Sequence, residues 1–159
     1  SDTRRGVIIA MKERGNQAVR RHVGAVLAAG IEYLRARGDI PETAVLVPAP
    51  TRASSARQRG GDPVTAMCEA AEARLPGWRT VVALATAESS ADQSELTAGE
   101  RADNMRSAVL LRPCAQQLRG CAVLLVDDVV TTGATLRASA ARVRAVGGDV
   151  VGAIVLADA

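Results

Sequence analysis

The stretch LLVDDVVTTGATL, Leu124 to Leu136, decides how this chain is read. An apolar run ends in two carboxylates, Asp127 and Asp128, and four of the five residues from Thr131 to Thr135 are threonine or glycine. A short apolar run closed by acids predicts a buried strand at Ala122 to Val126 that opens into a turn. From Gly133 the apolar spacing turns helical as far as about Val146, and Gly147-Gly148 stops it. Strand, turn and helix in that order put the acids and hydroxyls at the carboxyl end of a strand, where open α/β sheets bind ligands.

Such a helix start offers backbone N–H groups and a positive dipole end of about half an elementary charge, which suits a phosphate. Gly133 lets the backbone approach closely, and Thr131, Thr132 and Thr135 add hydroxyl donors. The carboxylates repel a phosphate but accept hydrogen bonds from the hydroxyls of a sugar attached to it. Acids and a phosphate turn side by side therefore imply a sugar phosphate, and a phosphorylated ribose fits best. A Mg²⁺ ion would join Asp127 and Asp128 if the ligand also carried a pyrophosphate, because Mg²⁺ favours one or two carboxylates plus phosphate oxygens. Strand-end acids and threonine caps are common singly; the specific feature is their uninterrupted order, with Val129, Val130 and Ala134 between them. Competing phosphate motifs are missing from the sequence: neither G-x-x-x-x-G-K-[ST] nor G-x-G-x-x-G after a strand occurs. A phosphoacceptor receiver would need a lysine late in the chain, and the sole lysine is Lys12.

Outward from that motif, strand and helix signals alternate. Val19, Val23, Val26, Leu27, Ile31 and Leu34 fall at helical spacing, with Asn16 as cap and Gly38 beyond, predicting a helix over about 17–37. The run TAVLVPAP predicts a strand ending near Val47, and Asp62-Pro63 opens a helix whose apolar face is Val64, Met67, Cys68, Ala71 and Leu75. RTVVALAT, 79–86, reads as one strand, and the polar segment from Ala87 to about Glu95 as a mobile loop. Thr97-x-x-Glu100 has capping-box spacing for a short helix from Ala98. Strands at 108–111 and 150–156 complete the chain, and Val7–Met11 fits strand or helix equally. The expectation is a Rossmann-like open, mostly parallel α/β sheet with helices on both faces, built as a single domain over 1–159.

Composition narrows the function. Phe is absent and Tyr33 and Trp78 are the only aromatic residues, so a single-strand nucleic-acid binder with stacking platforms is disfavoured. The net charge of +3 rests on arginine, whose planar fork matches phosphate and carboxylate alike. Three cysteines without C-x-x-C spacing argue against a zinc ribbon or a disulfide framework, and the reading is cytoplasmic with no membrane span. The apolar run Val7–Met11 is too short for a signal-peptide core. Cys68 and Cys121 read as core residues, Trp78 as packing at a strand entry, and the lone His22 as a surface or packing residue of the first helix.

At VDDVVTTGAT the sequence resembles the type I phosphoribosyltransferases, whose hallmark is a stretch of this form that binds phosphoribosyl pyrophosphate (PRPP). MKERGN at 11–16, VPAPTRASSARQRG at 47–60 and QSELTAGERADN at 93–104 are similar, in order and spacing, to blocks of the competence-associated ComF/GntX group. The resemblance implies that Asp127 and Asp128 hold the ribose hydroxyls and Thr131 to Thr135 the 5′-phosphate, with Val129 and Val130 completing the ribose-phosphate stretch between them. It implies a pyrophosphate site at Ala49, Pro50, Thr51 and Arg52, with Arg57 and Arg59 neutralising the leaving group. Gln93, Arg101 and Asn104 match positions in and after a loop that closes over the site, with Arg101, Asp127 and Asp128 serving catalysis. The sequence departs from the group in three places. The zinc ribbon common ahead of the domain is not in this sequence, Gly61-Asp62-Pro63 replaces the usual F-N-Q, and Thr86 and Glu88 stand where basic residues are usual.

The resemblance therefore implies a Mg²⁺-dependent transfer of phosphoribosyl from PRPP to a nitrogen base, with pyrophosphate released. The alternative is a non-catalytic PRPP-binding protein with an accessory role in DNA uptake. PRPP and a nucleobase are the implied partners, a homodimer is compatible, and a direct nucleic-acid ligand is disfavoured.

Overall fold

Short runs of Val, Leu and Ile bounded by Pro, Gly and Asp become the strands of this chain, and the amphipathic stretches between them become its helices. The computed structural model describes residues 8–10, 17–50, 62–86, 109–128 and 133–156. In chain order the elements are β1 (Ile8–Ala10), α1 (Gln17–Ala36), β2 (Val45–Pro48), α2 (Pro63–Glu72), β3 (Arg79–Thr80), β4 (Leu84–Thr86) and β5 (Val109–Leu111). A 3₁₀ turn (Pro113–Leu118), β6 (Ala122–Asp127), α3 (Ala134–Ala145) and β7 (Asp149–Val155) follow. Five strands form one sheet in the order β1-β7-β6-β2-β3, and every neighbouring pair is parallel. The ambiguous first segment is thus an edge strand, with Ile9 opposite Ile154.

Period-2 alternation splits the sheet's side chains between two cores. Leu46, Leu124, Val126 and Ile154 pack with Leu27, Ile31 and Leu34 of α1 and Val64, Cys68 and Ala71 of α2. Val45, Val47, Val123, Leu125 and Val155 pack on the opposite face with Leu136 and Val143 of α3 and Leu118 of the 3₁₀ turn. Helices cover both faces, as the alternating pattern predicts. Asp62 caps α2, accepting the Val64 N–H at 3.1 Å and the Thr65 hydroxyl at 2.6 Å, and Pro63 takes the first helical position. Trp78 is buried just ahead of β3 and donates its Nε1–H to the Glu42 carbonyl at 2.9 Å.

Three expectations need correction. RTVVALAT is two strands, not one. Val81 donates to the Leu46 carbonyl and Ala83 to the Val81 carbonyl, a tight i to i+2 turn that lifts the chain off the sheet after β3. β4 then pairs antiparallel with β5 in a separate ribbon, Thr86 opposite Val109, so the strand read at 108–111 is not a member of the main sheet. The 3₁₀ turn had no counterpart in the sequence reading, although Pro113 at its start and Gly120 beyond its end were the available signals. Among the cysteines, Cys68 is fully buried and its thiol pKa is pushed up, foremost by that burial. Cys121, expected in the core, packs against it from the margin and is half-buried, with Sγ 3.4 Å from the Gln117 carbonyl where the chain turns into β6. The proposed loop at 87–95 and helix from Ala98 lie outside the described residues. Among the described residues no helix is long and apolar enough to cross a membrane.

Candidate sugar-phosphate site

All parallel strands of the main sheet point the same way, so their carboxyl ends share one edge. β6 is the middle strand and ends in Asp127 and Asp128. Its neighbour β2 ends beside it, because Ala49 donates its N–H to the Val126 carbonyl at 2.7 Å. Ala49 and Pro50, expected at a pyrophosphate site, are therefore next to the paired acids in space although about 80 residues away in sequence. On the other side β7 closes with Leu156 N–H on the Asp127 carbonyl at 3.0 Å. The Asp127 backbone is thus fixed within the sheet.

Asp127 is 7 % exposed, while Asp128 is half-buried. One Asp127 oxygen, Oδ1, accepts the Asp128 backbone N–H at 2.8 Å. Burial pushes the Asp127 carboxyl up to about 7, and the charges of Asp128 and Asp62 push the same way against that hydrogen bond. The influence of Asp62 is a contribution the sequence reading missed, having taken this residue only as a helix cap. Its signal was positional: a helix that follows a strand in a parallel crossover starts at the same sheet edge. A buried acid crowded by two others is expensive for the empty fold, and such arrangements cluster at functional sites.

α3 begins directly after Gly133, which adopts φ 79° and ψ 2°. That left-handed conformation favours glycine, and it leaves the N-cap of α3 without a side chain. By contrast α2, whose start lies at the same edge, is closed by the Asp62 carboxylate. The two helix starts at this edge thus differ in their caps, a carboxylate on α2 and a glycine without a side chain on α3. Ala134 and Thr135 form the first residues of α3, and both are exposed.

The structure thus brings Asp127, Asp128, Gly133, Ala134, Thr135, Ala49 and Pro50 to the carboxyl edge of the sheet. The remaining sequence candidates, Val129, Val130, Thr131, Thr132, Thr51, Arg52, Arg57, Arg59, Gln93, Arg101 and Asn104, lie outside the described residues. Among the described residues no group of three or more His, Cys, Asp or Glu side chains is arranged to hold a metal ion.

No curated protein matches the chain. Among solved structures, the chain is similar to one described as the allosteric regulatory enzyme of purine biosynthesis, at 16 % identity and a TM-score of 0.51. The match covers 86 % of this chain and 25 % of that one, so this chain spans about a quarter of that enzyme's length, and the likeness is one of fold. The model of the phosphoribosyl transferase domain family matches residues 77–159, which include β6, the paired acids, the Gly133 turn and α3. Since that match takes in more than half of the chain, the protein belongs to the phosphoribosyl transferase domain family.

Proposed function

We propose that this protein binds PRPP at the carboxyl edge of its sheet and transfers the phosphoribosyl group to a nitrogen base, releasing pyrophosphate. One observation carries the reading: the paired acids closing β6 and the glycine-capped start of α3 at Gly133 stand at one edge, within the span matched by the family model. In this reading α3 and the turn before it, Thr131 to Thr135, grip the 5′-phosphate. Asp127 and Asp128 accept hydrogen bonds from the ribose hydroxyls. Ala49 to Arg52, with Arg57 and Arg59, receive the pyrophosphate. Arg101, Gln93 and Asn104 act from the segment joining the ribbon strands.

Two adjacent carboxylates suit a Mg²⁺ ion shared with substrate phosphate oxygens, and Asp127 and Asp128 are the residues that would hold it. When bound, the ion would neutralise charge on the departing pyrophosphate. The chain's own contribution is positioning and electrostatic preorganisation. The sheet edge fixes the ribose between acids and phosphate turn, and the buried, hydrogen-bonded Asp127 does not reorganise as positive charge develops on the sugar. The resemblance to the ComF/GntX group supports the alternative reading, a non-catalytic PRPP-binding accessory protein linked to DNA uptake. The acceptor base is the finer question that a screen of bases for pyrophosphate release addresses.

Calorimetric titration of PRPP with Mg²⁺ into wild type and into Asp127→Asn/Asp128→Asn tests the proposal. Binding by the wild type that falls at least tenfold in the variant is expected, since two charge-assisted contacts are removed. A folded wild type that does not bind PRPP would refute it. Binding without pyrophosphate release from any base would instead leave a PRPP-binding protein with an accessory role.

A further inference from the structure

Asp62 belongs neither to the motif nor to a strand end, yet it stands at the same edge as both. α2 follows β2 in a parallel crossover, so it starts where β2 ends, and it packs on β2, β3 and β6. Val64, the second residue of α2, shares a core with Val126, the residue before Asp127. The end of β2 lies in the same place, because Ala49 donates its N–H to the Val126 carbonyl. A pyrophosphate received at Ala49 and Pro50 would thus share the edge with Asp62 as well as with Asp127 and Asp128.

The Asp62 carboxylate is pinned there. Its Oδ1 accepts the Val64 N–H at 3.1 Å and its Oδ2 accepts the Thr65 hydroxyl at 2.6 Å, so it cannot swing away from an arriving anion without uncapping α2. The cap itself needs only an oxygen, and Asn serves as well as Asp at this position. Beyond a modest gain against the helix dipole, the negative charge does nothing for α2 that an amide would not do. It does bear on the site, being among the causes that push the Asp127 carboxyl up.

We propose that Asp62 is a specificity-determining residue that makes pyrophosphate binding conditional on a divalent cation. The inference rests on the PRPP-binding reading and deepens it. A pyrophosphate group brings several negative charges to an edge that already holds Asp62, Asp127 and Asp128, and close like charges repel. With a cation shared between the pyrophosphate oxygens and the acids of β6, that repulsion is offset. The metal-free ligand meets it in full. Ribose 5-phosphate carries no pyrophosphate and is indifferent to Asp62.

A ligand-by-residue cycle tests this. PRPP and ribose 5-phosphate are titrated calorimetrically, with Mg²⁺ and with chelator, into wild type, Asp62→Asn and Glu69→Gln, at about pH 8, where Asp127 is ionised. Asp62→Ser supplies a second uncharged cap, and Glu69, an exposed acid in the second half of α2, serves as control. Chelation is expected to weaken PRPP binding roughly tenfold or more in wild type and in Glu69→Gln. In Asp62→Asn and Asp62→Ser that penalty should shrink at least about threefold, through tighter binding of metal-free PRPP, while ribose 5-phosphate binds all four proteins alike. An unchanged penalty in both folded Asp62 variants overturns the role of Asp62 while the PRPP site stands. So does an equal effect of Glu69→Gln, which would make the charge a matter of net charge rather than of place. Weaker ribose 5-phosphate binding in the Asp62 variants would show a structural role and overturns it too. Failure of the wild type to bind either ligand overturns the site and the role of Asp62 together.

Discussion

A carboxylate with 7 % exposure, pressed by two further acids as Asp127 is by Asp128 and Asp62, destabilises the fold whenever it is ionised. Unfolded, the group titrates near 3.8, and burial carries it to about 7 in the folded state. Below about pH 4 both states hold the proton, and the residue does not bias stability. As pH rises from about 4 to 7 the unfolded chain releases the proton and the folded one keeps it, so stability falls. Above about 7 both states are ionised and the loss stays constant. Asp127→Asn keeps an oxygen for the Asp128 N–H and cannot ionise. In urea melts with chelator and no ligand, this variant should match wild type near pH 4 and exceed it near pH 8 by on the order of 2–4 kcal/mol. Equal stability at both pH values would mean that water reaches the carboxylate and that its burial carries no electrostatic cost. A residue kept against folding stability is where a binding role is expected.

At the scale of elements, α1 and α2 approach so closely that a methyl group at Gly24 would collide with the Cβ of Ala70. Gly24→Ala gains at most about 1 kcal/mol in helix propensity and loses about 1–3 kcal/mol to overpacking, so net destabilisation is expected in thermal melts. Adding Ala70→Gly removes the obstructing atom and should recover much of the loss, a coupling that distant sites do not show. The helices themselves were legible in the sequence nearly to their ends, because their signals are local. Asp62-Pro63 starts α2 and Gly147 follows α3. RTVVALAT was not legible as two strands, since no Gly or Pro interrupts it and the bend at 81–83 is held by Leu46, far away in the chain. The 3₁₀ turn was legible in principle from Pro113 and Gly120, but six residues are too few for periodicity to declare a helix.

At the scale of the whole molecule, the parallel sheet followed from the alternation of strands and helices, and the paired acids followed from the motif. The convergence of Ala49 and Asp62 on those acids depends on strand order, which periodicity does not carry. Strand order also leaves β4 and β5 outside the sheet, as a two-stranded ribbon three residues long on each side. Two-stranded ribbons are marginal by themselves, and Leu110 of this one is 39 % exposed. What holds it is the burial of Leu84 and Val109, the Arg112 N–H on the Ala83 carbonyl at 2.8 Å, and the Arg142 Nε–H of α3 on the Val109 carbonyl at 2.9 Å. The central strand β6, paired on both sides and buried from Val123 to Asp127, should open only with global unfolding. Native-state hydrogen exchange should therefore find the ribbon amides of β4 and β5 less protected than those of β6. Arg142→Ala removes the charged donor from the Val109 carbonyl and should speed ribbon exchange on the order of tenfold or more, with β6 unchanged. Equal acceleration in β6 would show that ribbon and sheet open as one cooperative unit, with Arg142 bracing the whole fold rather than the segment joined to its ribbon.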